Sequence, residues 1–422
     1  MTVLDPLSRP HTWRSVPFGR VAIRAKEAGR PDLPPLSVFL GAGVVPRDSR
    51  DDNHNQLGED LGKYLVVKPG DLVFNKLRTW QGGLGASQYE GIVSPAYFVC
   101  RPQADYDSRF LQYLLLSDAY LQELTRVSKW QPPSQFDIGW EQLRAVPIVS
   151  PGVLAQRTIA DYLDRETVRI DALITKKQRL IELLKERRQV LITVAVTGGP
   201  APESSQMSSE LWSLPHEWGE SRIDRLADVR ARVGWKALTA AEYVDDGYVF
   251  LSTPNIKQTE IDFENVNYIT EFRYEESPEL KLQIGDVLLV KDGATLGITN
   301  IVRTLPRPAT VNGSIAVLRC KVIEPSYLRY VLASDFIQGR IGAYRAGMGV
   351  PHLFQEDIKK FPVPCPPPST QRAIADNLDL ETARIDALVE KVNTQISLLR
   401  EHRQALITCA VTGEIEIPGV AA

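Results

Sequence analysis

Asp71 and Lys76 recur as Asp286 and Lys291, each residue 215 positions from its counterpart. A duplicated carboxylate and amine at this spacing could form a nuclease-like site. The neighbouring residues favour a structural role. VKPGDLVFNK ends at Lys76 and LQIGDVLLVK ends at Lys291. Gly-Asp makes a tight turn, and the apolar run after it is a strand. Gly82 and Gly297 keep the same offset.

Other catalytic signatures are missing from the sequence. It has no GxxxxGK[ST] phosphate loop, no GxSxG elbow, no HExxH and no DFG. An Asn-Pro-Pro-aromatic tetrapeptide of the amino-methyltransferase kind is also missing. GAGVV at Gly41 lacks the strand–GxGxxG–helix setting and reads as a loop.

The elements that position these residues are set by a repeat. Gln156–Gly198 aligns without a gap to Gln371–Gly413, with 28 of 43 positions identical. Neither copy contains proline or an internal glycine, and good helix formers dominate. Apolar residues return every seven positions: Leu163, Ile170, Leu184 and Leu191, with Lys177 in the row. The second copy has Leu378, Ile385, Val392, Leu399 and Leu406. A second row adds Leu173, Ile174, Leu180 and Ile181 in copy one, and Leu388, Val389 and Ile396 in copy two. This period predicts a coiled-coil seam, with Lys177 snorkelling at a tolerant place. Gly198 and Gly413 are the expected glycine caps. Each helix would be roughly 65 Å long. Connectivity favours an antiparallel pair, since the first helix delivers the chain to a second domain and the second helix returns it.

The fold expected is therefore α+β: two pseudo-symmetric α/β domains separated by a long antiparallel two-helix coiled coil. The boundaries read as 1–153 for the first domain, 154–210 for the first helix and a linker, 211–366 for the second domain, and 367–422 for the second helix and tail. Gly199–Glu210 has linker composition. Tyr64–Lys68, Leu72–Lys76, Ala96–Arg101, Tyr248–Ser252, Val287–Lys291 and Ser314–Arg319 are strand candidates. Arg109–Arg126 reads as one helix. FLQYLLLSDAYL from Phe110 resembles YLRYVLASDFIQ from Tyr327, so both domains share a scaffold while their loops differ.

Composition narrows the function classes. Hydrophobic residues make up 43% and charged residues 24% of the 422, as in a globular protein. No run is long and apolar enough for a membrane span, and MTVLDPLSRPHTW has no signal-peptide core. Four scattered cysteines form no CxxC pair, which fits a reducing cytoplasm and argues against a zinc site. The net charge of −3 means that nucleic-acid binding would need local placement of Lys and Arg.

Two repeated helices alternating with two divergent α/β domains resemble the specificity subunit of type I restriction–modification systems. PIVSPGVLAQRTIADYLD and PVPCPPPSTQRAIADNLD resemble that family's proline-rich entry into its repeated helix, and the AVTG ends also fit. In the first copy Val149, Ser150 and Gly152 replace some of the family's prolines. The resemblance covers essentially the whole chain. It implies two target recognition domains, each reading half of a bipartite, asymmetric sequence in double-stranded DNA. It implies helices that set the spacing and dock two copies of an adenine-specific DNA methyltransferase. S-adenosylmethionine and ATP with magnesium would act on partner subunits, among them ATP-dependent translocating and cleaving subunits. This chain would bind no cofactor or metal and catalyse nothing. The alternative is a pseudo-dimeric scaffold that spaces two protein ligands without touching DNA.

Loop residues able to pair with base edges or phosphates are the candidate readers. In the first domain they are Lys76, Arg78, Trp80, Gln81, Lys129, Gln131 and Gln135. In the second they are Lys257, Gln258, Lys291, Thr295, Asn312, Arg345 and His352. Lys76 and Lys291, being equivalent, suit phosphate contact or structure better than base discrimination. Polar residues shared by the helices are candidates for partner docking: Gln156, Arg157, Asp161, Arg169 and Arg188, with Gln371, Arg372, Asp376, Arg384 and Arg403.

Overall fold

The computed structural model describes residues 13–49, 57–58, 60–131, 135–199, 214–231, 238–343 and 352–420. The chain divides into two compact units. Unit one is Met1–Lys177 with Thr394–Ala422, and unit two is Gln178–Asn393. Most of the expected linker, residues 200–210, lies outside the described residues.

Each unit is built on an antiparallel four-stranded sheet of the same order. In unit one the order is Ala22–Ala25, Tyr97–Pro102, Leu72–Asn75, Leu84–Ala86. In unit two it is Ala227–Arg230, Ile315–Cys320, Val287–Val290, Thr299–Ile301. A two-stranded ribbon recurs as well: Arg14–Pro17 with Pro147–Ser150, and Gly219–Arg222 with Pro362–Cys365. The proline-rich entries to the long helices are thus strands in two-stranded ribbons, where proline costs little.

The duplicated Gly-Asp is the turn that launches the inner strand. Gly70 and Gly285 take φ of +90° and +93°, a region other residues avoid. Asp71 Oδ2 accepts the amide of Lys68 at 2.9 Å, and Asp286 Oδ2 accepts that of Gln283 at 2.8 Å.

The units differ around this frame. Unit one adds the hairpins Leu36–Phe39/Gly43–Pro46 and Lys129–Gln131/Gln135–Asp137, and it pairs Leu65–Val67 with Gly91–Val93. Unit two adds a three-stranded sheet, in which Tyr248–Leu251 pairs antiparallel with Asn267–Ile269 and parallel with Ala309–Val311.

The expected strands are present with ends shifted by a residue or two. The single helix expected over Arg109–Arg126 is instead two, Ser108–Leu115 and Asp118–Val127. Ser117 causes the break. Its extended backbone caps the second helix, and its hydroxyl donates to Leu114 O at 2.7 Å. Ser334 does the same in unit two, donating to Val331 O at 2.6 Å. A serine side chain that satisfies a terminal carbonyl competes with continuing the helix.

The repeats are helices Val153–Thr197 and Pro368–Thr412, of 45 residues each. Gly198 and Gly413 close them with φ of +76° and +79°. Beyond each, the amides of Gly199 and Glu414 donate back to Val194 O and Cys409 O, as in a Schellman cap. Within unit one the helix segments run antiparallel: Lys177 meets Gln395 at 2.6 Å and Asp171 meets Arg403 at 3.0 Å. In unit two Arg188 Nε donates to Asp386 at 3.1 Å, while Ile192 and Val196 share a core with Ala375 and Leu378.

Leu163, Ile170, Ile174, Leu378, Ile385, Val392 and Ile396 are buried. Leu173, Leu180 and Leu388, expected in the second apolar row, are instead exposed. Successive helical residues point about 100° apart, so Leu173 and Ile174 cannot both face one partner helix. Each helix end also enters its unit's core. In unit one Ile159 and Leu163 pack with Ile407, Val411 and Ile417 of the tail. Among the described residues no helix is long and apolar enough to cross a membrane.

Candidate nucleic-acid interface

Asp71 and Lys76 do not form a site together. Asp71 is buried, and Arg101 donates to both its oxygens, from Nε at 2.9 Å and Nη2 at 3.0 Å. Arg319 holds Asp286 the same way at 2.8 and 2.7 Å. These hydrogen bonds raise the guanidinium pKa of Arg101 and Arg319 against the opposing effect of burial. Lys76 instead places its ammonium over the Phe98 ring, 4.8 Å from the centroid. Lys291 is buried with its ammonium 3.5 Å from Asp292.

The segment leaving the second helix of each pair returns past the duplicated lysine. Ile138 donates its amide to Lys76 O, and Leu353 donates to Lys291 O. This brings several unit-one candidates to one place. Arg24 shares the Phe98 ring with Lys76, at 4.7 Å, and also lies 5.5 Å over Trp140. Phe98 and Trp140 meet edge to face at 5.7 Å. Trp80 packs on Phe136 at 5.1 Å, and Phe136 packs on Trp130 at 4.9 Å. Arg78, Gln81 and Lys129 are exposed beside them in sequence. Tyr97, its hydroxyl pKa raised by burial, feels the opposing charges of Arg47 and Arg78.

Arg24, Lys76, Arg78 and Lys129 make no ion pair with a carboxylate among the described residues. Cations without a carboxylate partner among the described residues, on a surface that also carries the exposed Trp130, suit a phosphate-bearing, stacked polymer. Gln131 and Gln135 pair across the hairpin backbone; their side chains lie outside the described residues. Arg24, Arg47, Phe98, Trp130, Phe136 and Trp140 were not among the sequence candidates. For Trp130 and Phe136 the signal was the KWQPPSQF pattern of a hairpin with basic and aromatic residues; Arg24, Arg47, Phe98 and Trp140 left no local one.

Unit two fills the same place differently. Strand register sets Ala316 opposite Leu289 and Val229 opposite Leu318, where unit one has Phe98 and Arg24. Gln355 stands where Trp140 stands, and donates to Val229 O at 2.7 Å. His352 Nδ1 contacts Asp292 Oδ1, and its ring meets Phe354 edge to face at 4.4 Å. Asn312 receives the Ser314 amide, and the Ser314 carbonyl receives the Lys291 amide, so Asn312, Lys291 and His352 share one corner. Thr295 is partly buried in the following turn. Lys257 is bound by Glu260 and Asp262 at 3.3 and 3.1 Å. Gln258 lines a cavity of about 290 Å³ with Arg188, Arg329 and Gln338. Burial there lowers the Arg329 pKa. Arg345 lies outside the described residues.

The helix candidates also separate. Gln156 and Gln371 are buried, and they bind the amides of Asp107 and Glu324 at 2.9 Å each. Arg188 and Arg403 face the opposite helix segment within their units. Arg157, Asp161, Arg169, Arg372, Asp376 and Arg384 are exposed. So are Leu183 and Leu398, equivalent leucines at 46% and 57% exposure, which the polar list omitted.

Comparison with known proteins places this arrangement. Residues 215–398 match the type I restriction modification DNA specificity domain. The chain is 21% identical over 277 residues to the type I restriction enzyme MjaVIII specificity subunit of Methanocaldococcus jannaschii, covering 64% of this chain and 63% of that one. It is 23% identical over 279 residues to the EcoBI specificity subunit of Escherichia coli, covering 63% and 57%. The alignments thus span less than two thirds of either relative. Among solved structures, a chain from a type I R-M system superposes with a TM-score of 0.73 at 18% identity, covering 96% and 99%. The HsdS subunit from Thermoanaerobacter tengcongensis gives 0.55 at 18% identity, covering 96% and 98%. At these identities the superpositions establish an HsdS-like fold of mixed helices and sheets. The family model and the named relatives are thus of type I restriction–modification specificity subunits, and the structural neighbours share the fold.

Proposed function

We propose that this chain is the non-catalytic DNA specificity subunit of a type I restriction–modification complex. On this reading, units one and two each read one half of a bipartite, asymmetric target. The boundaries 1–153 and 211–366 enclose the readers. The long helices form an antiparallel coiled coil that relates the readers by a pseudo-two-fold axis and sets the gap. Two methyltransferase subunits dock on the helices and carry S-adenosylmethionine. ATP and magnesium belong to translocating subunits that join the complex. The cytoplasm is the compartment this role requires.

The observation that carries the reading is one frame with different contents. The Asp71–Arg101 and Asp286–Arg319 pairs keep the sheets alike. At the same corner unit one presents Arg24, Lys76 and Trp130, while unit two presents Val229, the paired Lys291 and Phe354. Two readers of identical halves would have no cause to diverge there. The cations of unit one that form no ion pair among the described residues meet the need for local positive charge on a chain of net charge −3.

The test is selection from a pool of random duplex DNA by the chain in complex with its methyltransferase. The enriched sequences will contain two different short blocks at a fixed separation. Enrichment of a single block would overturn the bipartite reading, and enrichment of none would overturn DNA reading in favour of a protein scaffold.

A further inference from the structure

The aromatic series in unit one ends open. Trp80 is its fixed base, because its indole N–H donates to Leu77 O at 3.2 Å. Phe136 sits on Trp80 and also contacts Trp130 at 4.9 Å. Trp130 is the outer member and 52% exposed. Burying a tryptophan is strongly favourable, so one held half in water against the Phe136 ring is a surface in want of a partner.

The surroundings say what that partner is. Lys129 is adjacent on the same strand, and Arg78 lies two residues before Trp80. Neither is ion-paired among the described residues. A half-exposed indole on a surface that also carries Lys129 and Arg78 matches a nucleobase attached to its phosphate. Another aromatic pair behaves differently. Tyr248 and Tyr274 stack at 4.2 Å in unit two, but Lys281 covers Tyr274 and is itself bound by Glu275. That stack is closed; the Trp80–Phe136–Trp130 series is not. The corner of unit two also exposes one aromatic ring, Phe354 at 63%.

We propose that Trp130 stacks on a base of the bound DNA and unstacks it from its neighbour in the half-site read by unit one. This extends the DNA-reading proposal and rests on it. Unit one therefore reads the ease of opening a base step as well as base edges. Phe136 and Trp80 are positioning residues that keep the indole from folding away.

The experiment uses the chain in complex with its methyltransferase and a duplex carrying the selected target. 2-Aminopurine replaces one base at a time through both half-sites, outside the methylated adenines. Binding is followed by anisotropy and unstacking by 2-aminopurine fluorescence. Wild-type protein will change the emission at one step of one half-site. Trp130→Ala will abolish that change and weaken binding roughly 10-fold or more, with an unaltered thermal melt. Trp130→Phe will restore part of both. If Trp130→Ala binds and leaves the emission change intact, the stacking proposal is overturned while the DNA reading stands. If wild-type protein fails to bind any duplex, the DNA reading itself has failed.

Discussion

Arg101 closes over the buried Asp71 with two hydrogen bonds, at 2.9 and 3.0 Å. Arg319 does so over Asp286. The duplicated carboxylate is thereby committed to the sheet. Asp71→Ala leaves a guanidinium and the Lys68 amide without their acceptor, at a cost of about 2–4 kcal/mol. Because Arg101 is 43% exposed, water offsets part of this loss. Chemical denaturation of Asp71→Ala and Asp286→Ala will show the loss. A clean loss of turnover in a well-folded variant would instead revive a nuclease reading.

The C-terminal tail belongs to unit one. Ile417 is 5% exposed and packs in the core that holds Leu163 and Phe110. Ile417→Ala should cost about 2–4 kcal/mol, and a melt of the full chain measures it. A change below about 0.5 kcal/mol, the ordinary surface value, would contradict this packing.

Leu183 and Leu398 test the docking reading. They are equivalent, exposed and apolar on helix faces otherwise rich in charge. Leu183→Glu with Leu398→Glu will leave the melt unchanged and prevent co-purification of the methyltransferase. Each single variant will leave one copy bound. Mass measurement of the complexes distinguishes these outcomes from undisturbed binding, which would exclude this face.

The cations of unit one make a prediction about salt. Arg78→Gln or Lys129→Gln will each lower the slope of log K against log salt by about 1, uniformly across sequences. An unchanged slope would remove that residue from the phosphate contacts.

Much of the frame was legible. The gap-free repeat announced two long helices, and Gly198 and Gly413 marked their ends because a positive φ there admits little else. The helix break at Ser117 was also written in the shared Ser-Asp, but apolar periodicity hid it. The candidate site was less legible. Lys76 and Arg78 drew notice by type, whereas Arg24 and Phe98 come together only through the register of Arg24 opposite Cys100 and Phe74 opposite Phe98. Long-range strand pairing of this kind leaves no local pattern. Gln156 and Gln371 misled for the opposite reason: a polar residue repeated on a helix suggests an outward face, yet both are turned inward to bind buried amides.

The central claim is that two unlike readers are held at a distance set by the helices. The direct measurement is a map of methylated adenines in cells that co-express the chain and its methyltransferase. The account predicts a split motif, two different short sequences with a constant gap, and a longer gap when one heptad is inserted into both helices. A stable complex that methylates nothing, or a gap unchanged by the insertion, would contradict it.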